Sequence, residues 1–207
     1  MILDKKKASL PIKIIAALIV IAFILSVVMM VIPSLTWKGA LTQPEAKMTQ
    51  EEKYFSDGVT MFSSKVEVDD QDVESWVSLG NYYFDWGAYK AQQNDLEAVG
   101  EKLRQAIIAY QKSLELDPEN YDVRTDLATV FFYTGNSTAA IAGYQEVLQN
   151  VPTHPNAQFN LGNVYSQTGK KNEAIKAWED FLHLVPTGET ADLVRSRIAE
   201  LSNQTAP

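Results

Sequence analysis

Cysteine is absent from all 207 positions, which excludes disulfides, thiolate metal sites, thiol nucleophiles and covalent haem attachment. Histidine is almost as scarce. His154 lies in a proline-rich turn and His183 near a helix end, and neither has a polar partner close by in sequence. They read as a turn residue and a helix-terminal or surface cation. No glycine-rich phosphate loop, no His-Glu-x-x-His helix and no serine elbow occurs. Asp69 with Asp70, and Glu179 with Asp180, read as solvated faces. The expectation is a chain that is not an enzyme, with no catalytic residue, no cofactor and no metal.

Positive charge is thin beyond residue 32, where 14 Lys and Arg face 25 Asp and Glu, a net of −11. Such a segment repels nucleic acid and anionic lipid alike. What the chain does have is a long apolar run. The 19 residues from Ile14 to Ile32 carry no charge and as a helix would span about 28 Å, the thickness of a bilayer core. A cleaved secretory signal is the competing reading. Its apolar stretch is usually shorter, about 7 to 15 residues, and a small-x-small site follows it. Pro33 and the poor candidate Ser34, Leu35, Thr36 favour an uncleaved anchor. Lys5, Lys6, Lys7 and Lys13 precede the run, which places the N-terminus in the cytoplasm and the remainder on the extracytoplasmic side of the inner membrane, as a single-pass protein.

The second half repeats. Pro118, Pro152 and Pro186 stand 34 residues apart, and the same offset relates Leu127 to Leu161, Ala128 to Gly162, Phe131 to Tyr165, Gly135 to Gly169, Ala140 to Ala174 and Tyr144 to Trp178. An earlier copy opens with Trp76, Leu79, Gly80 and Tyr83 and continues through Gly87. Its second half, Ala106, Tyr110 and Pro118, is displaced by an insertion of 14 residues, about 88–101, that lengthens a hairpin. Asn94 or Asp95 is expected to cap the helix that follows. A Thr49-x-x-Glu52 capping box opens an amphipathic helix with Phe55, Val59, Phe62 and Val66 on one side. A closing helix near residues 191–201 sets Leu193, Val194, Ile198 and Leu201 against a polar outer face of Asp192, Arg195, Arg197 and Glu200.

The spacing Trp76-x2-Leu79-Gly80-x2-Tyr83 resembles the tetratricopeptide repeat, in which paired antiparallel helices stack because one pair cannot bury its own apolar faces. The resemblance implies an all-α chain: an N-terminal transmembrane helix followed by a tetratricopeptide α-solenoid of half a repeat, three repeats and a C-terminal capping helix. The expected division is a cytoplasmic N-terminus over 1–13, the transmembrane helix over 14–32, a linker over 33–48, the half repeat over 49–72, the repeats over 73–188, and the capping helix and tail over 189–207.

In that family the first helices of the pairs line a concave groove that holds peptide segments. The resemblance therefore marks Asn81, Phe84, Asp85, Thr129, Phe132, Tyr133, Phe159, Asn160 and Asn163 as groove residues. Some members clamp a carboxylate with groove lysines, but the stretches here offer Asp85, Asp122 and Asp126 instead. The implied partner is a protein or peptide segment, apolar with basic character. The function implied is a protein-binding scaffold or assembly factor held at the membrane. The alternatives are a fixed structural subunit of a larger membrane complex, or an apocytochrome-holding factor similar to the repeat modules of cytochrome c maturation.

Overall fold

The computed structural model describes residues 48–203. The apolar run at 14–32, its lysines and the linker lie outside the described residues; none of the described helices is long and apolar enough to cross a membrane. The described residues form eight α-helices and no strand: α1 (Gln50–Val68), α2 (Val73–Gln92), α3 (Leu96–Leu116), α4 (Tyr121–Tyr133), α5 (Ser137–Asn150), α6 (Pro155–Gln167), α7 (Lys171–Leu184) and α8 (Glu189–Asn203). Each packs on the next in chain order, and α4 also touches α6, so first helices adjoin across the stack. The result is a tetratricopeptide-like solenoid with pairs α2–α3, α4–α5 and α6–α7 between two single helices.

Local chemistry sets the helix ends. The three first helices start at equivalent N-caps, Asp72, Asn120 and His154, whose side chains accept the N–H of Ser75, Val123 and Ala157. Thr49 and Glu52 form the reciprocal capping box on α1. The second helices α3, α5 and α7 stop at Asp117, Val151 and Val185, each followed by one of the repeat prolines, which has no N–H with which to continue the helix.

The insertion divides evenly. Both helices of the first pair exceed their counterparts by seven residues, 20 against 13 and 21 against 14. Seven residues make almost two turns, about 10 Å, so each helix lengthens without rotating its buried face. Gly87, repeat-equivalent to the turn glycines Gly135 and Gly169, therefore lies inside α2, where an added Cβ would stand 3.1 Å from a Leu103 methyl. The turn has moved on by seven residues. Asn94 adopts the left-handed conformation there (φ 59°) that Gly135 and Gly169 adopt in the other pairs (82° and 76°). Asp95, not Asn94, caps α3.

The two extra turns hold the first half of α1. Phe55 stacks on Trp86 with centroids 6.4 Å apart, Thr49 and Tyr89 share a 2.8 Å hydroxyl hydrogen bond, and Glu52 forms a largely buried ion pair with Lys90. The Lys102 ammonium sits 4.0 Å from the Trp86 ring centroid.

The core lies between the layers. Tyr110, Tyr144 and Trp178, at equivalent positions of the three second helices, are almost wholly buried. The tight crossings that admit them use small residues: a Cβ on Gly80 would stand 2.5 Å from the Tyr110 ring, and one on Gly162 would stand 2.3 Å from the Trp178 ring.

Candidate functional site

On each first helix, positions spaced i, i+4, i+7, i+11 share one face. On α4 these are Asp122, Asp126, Thr129 and Tyr133, and the equivalents elsewhere include Asn81 and Asp85 on α2, Asn160, Asn163 and Gln167 on α6, and Arg197 and Leu201 on α8. Contacts along the row join neighbouring first helices: Asn160 Nδ2 donates to Thr129 Oγ1 at 3.4 Å, and Arg197 donates to Asn163 Oδ1 at 2.5 Å. This face carries six of the nine residues expected in the groove, Asn81, Asp85, Thr129, Tyr133, Asn160 and Asn163. It deepens between α4, α6 and α8 into a cleft of about 630 Å³ walled by Phe132, Tyr133, Asn163, Gln167, Arg197 and Leu201.

The buried aromatics decide which groove side chains remain free. Tyr110 donates its hydroxyl hydrogen to Asn81 Oδ1 at 2.7 Å, and the Tyr144 hydroxyl meets Thr129 Oγ1 at 2.8 Å. Asn81 and Thr129 are thus partly occupied from beneath. Trp178 has only an N–H to give, and it donates to the Phe159 carbonyl at 3.3 Å. Asn163 is left unclaimed from below and accepts from Arg197 instead. The guanidinium also lies 5.7 Å from the Phe159 ring and 5.8 Å from the Trp178 ring, so the cation is built into the wall.

Arg197 therefore does not belong to a polar outer face of the last helix, as the periodicity of α8 alone suggests. That expectation is corrected because α8 occupies the place of a fourth first helix and turns this side chain inward. The sequence hint was available: Arg197 follows Asn163 by one repeat length.

Among the expected groove residues, Tyr133 is 65% exposed, and Phe132 and Asn163 line the cleft. Phe84 lies half-buried on the core of the first pair, its ring 5.8 Å from that of Tyr133. Phe159 packs on Phe181 with centroids 5.4 Å apart, as a core side chain of the last layers rather than an open contact.

Carboxylates gather on the other half of the face. Asp126 keeps solvent access yet has protein on several sides, and loss of surrounding water, then Asp122, push its carboxyl up to about 6, with a smaller opposing pull from His154 and a still smaller push from Asp85. Loss of water also raises Asp85. His154, expected as a turn residue with no partner close by in sequence, has three: Ala157, Asp122 and, 3.4 Å from its Nε2, the Thr125 hydroxyl. Its Nδ1 accepts the Ala157 backbone N–H at 3.2 Å, so the ring proton sits on Nε2 and is donated to Asp122 Oδ1 at 3.0 Å. Asp122 lies 32 residues away in sequence. Among the described residues no group of three or more His, Asp or Glu side chains is placed to hold a metal ion.

The comparisons with known proteins agree with this geometry. Residues 128–169 match a family described as TPR repeat, and residues 156–188 match a family described as tetratricopeptide repeat. No curated protein sequence matches the chain. Among solved structures, the MamA protein aligns with a TM-score of 0.57 and 21% identity over 73% of this chain and 79% of that one. TTC0263, a thermophilic TPR protein of Thermus thermophilus, aligns at 0.60 and 17% identity over 72% and 73%. The first TPR of Spaghetti (RPAP3), bound to the HSP90 peptide SRMEEVD, aligns at 0.55 and 22% over 67% and 97%. At these identities the likeness carries the fold.

Proposed function

We propose that this chain is a non-enzymatic scaffold or assembly factor, held at the inner membrane by residues 14–32, that binds a protein segment in its concave groove. The observation that carries the reading is the 630 Å³ cleft at the end of the row, where the exposed Tyr133 stands beside Phe132, Asn163 and Gln167. Amides pair with both the N–H and C=O of an extended backbone, and Tyr or Phe supplies anchoring area. The Spaghetti neighbour holds a peptide with two glutamates and an aspartate. Here Asp85, Asp122 and Asp126 occupy the groove, so the partner is apolar and basic rather than acidic. An unfolded apocytochrome segment is one candidate of that chemistry.

The test is photo-crosslinking from position 132 or 163 in native membranes, followed by mass spectrometry. A protein adduct formed from position 163 and lost on Phe132→Ala, or formed from position 132 and lost on Asn163→Ala, supports the reading, and capture unchanged by the second substitution refutes it. Protease treatment of spheroplasts tests the topology: degradation of the repeat domain from outside is expected, and protection would overturn the proposed side.

A second reading, a fixed structural subunit, is favoured by α1. Tyr54, Met61 and Val68 recur every seven residues along it and are 60%, 47% and 90% exposed. Co-purification with one neighbour in fixed stoichiometry, lost on Met61→Glu, would favour it.

A further inference from the structure

Along the solenoid the groove changes chemistry by helix. Asp85 on α2 and Asp122 and Asp126 on α4 supply carboxylates; α6 presents Asn160, Asn163 and Gln167, all neutral amides. The fourth wall, α8, brings Leu201 and an arginine already bonded to Asn163. The aromatic pair Phe84 and Tyr133 links the two ends, since Tyr133 touches Phe84 and also forms part of the cleft.

Resting on the groove reading above, we infer that the groove recognises a two-part segment. A basic side chain lies over Asp85, Asp122 and Asp126, the extended backbone crosses the amides of α6, and an aromatic or branched aliphatic side chain fills the cleft between Tyr133 and Leu201. The acidic end selects a cation because three carboxylates share it, Asp122 and Asp85 both push the Asp126 carboxyl up, and only Asp122 has a hydrogen-bonding partner, His154. Clustered like charges are relieved when a cation joins them. The cleft end selects an apolar group. Arg197 is engaged by Asn163 and flanked by rings, and Glu200 lines the same cleft, which disfavours a ligand carboxylate.

The experiment uses the full chain in nanodiscs and fluorescein-labelled dodecapeptides. Each peptide carries an Arg-Arg block and a Trp-Leu block separated by one to six Ser or Thr residues, with controls that keep one block only. One spacing is expected to bind at least tenfold more tightly than either control. Asp85→Asn with Asp126→Asn should remove about tenfold from the two-block peptide and leave the Trp-Leu control unchanged; Tyr133→Ala should weaken the Trp-Leu control and spare the Arg-Arg control. Circular dichroism confirms that each variant folds. Affinity independent of spacing, or Asp and Tyr variants that weaken both controls equally, overturns the two-part assignment. If position 163 still captures a protein while the Asp variants bind as before, this inference fails and the groove reading survives. If nothing is captured from the groove, both fail.

Discussion

The crossing of the two helices in each repeat holds one glycine and one alanine, but not always on the same helix. Gly80 with Ala109 and Gly162 with Ala177 place glycine first; the middle repeat reverses the order, with Ala128 and Gly143. A Cβ built on Gly143 would stand 2.9 Å from that of Ala128, a distance real Cβ atoms essentially never show. Gly143→Ala gains about 1 kcal/mol of helix propensity and loses about 1 to 3 to overpacking, a net cost of about 0 to 2. Ala128→Gly loses about 1 kcal/mol of propensity and about 0.8 for a buried methyl, or about 2 in all. In the double variant the propensity changes cancel and one methyl replaces the other. Stability should return to within about 0.5 kcal/mol of the parent, well short of the sum of the single losses. Urea denaturation followed by circular dichroism reads this as the midpoint at constant m-value. A double variant whose loss equals that sum would refute the idea that each crossing has room for one methyl.

Three further outcomes are expected. Asp126 has a folded-state value of about 6 against an ordinary 3.8, so the folded chain holds the proton more tightly than the unfolded one. The resulting penalty is absent below about pH 4, grows through pH 6 and is complete above it; Asp126→Asn should raise the melting temperature at pH 7.5 and leave it unchanged at pH 4. His154→Ala should cost about 1 to 2 kcal/mol by uncapping α6 and freeing Asp122, whereas His154→Asn should recover most of this, as read by denaturant midpoint. Lys90→Ala strands Glu52 beneath the extension and should cost about 1 to 3 kcal/mol, with early amide exchange confined to the first half of α1; uniform exchange along α1 would show that the extra turns do not hold it.

The helices were legible because their signals are local. Caps, prolines and small residues recur at one spacing, and steric demands at a crossing are the same in every repeat. The insertion was legible as a length but not as a division into seven and seven, because helix phase matters only once both helices must keep facing their neighbours. The glycine pattern misleads at that point: Gly87 keeps the repeat position of a turn, while Asn94 performs the turn. Candidate groove residues followed from the resemblance, in which the first helix of each pair lines the groove. Phe159 departs from that pattern because Phe181 and Arg197, 22 and 38 residues away, close over it.

The sequence by itself determined the period, the helical pairs, the absence of thiol chemistry and the acidic balance of the groove, since composition and spacing are properties of the chain alone. Tertiary structure decided which polar groups are free. Whether an asparagine in the groove is available depends on what reaches it from below: a tyrosine hydroxyl claims Asn81, while an indole that donates to the Phe159 carbonyl leaves Asn163 to an arginine one repeat away.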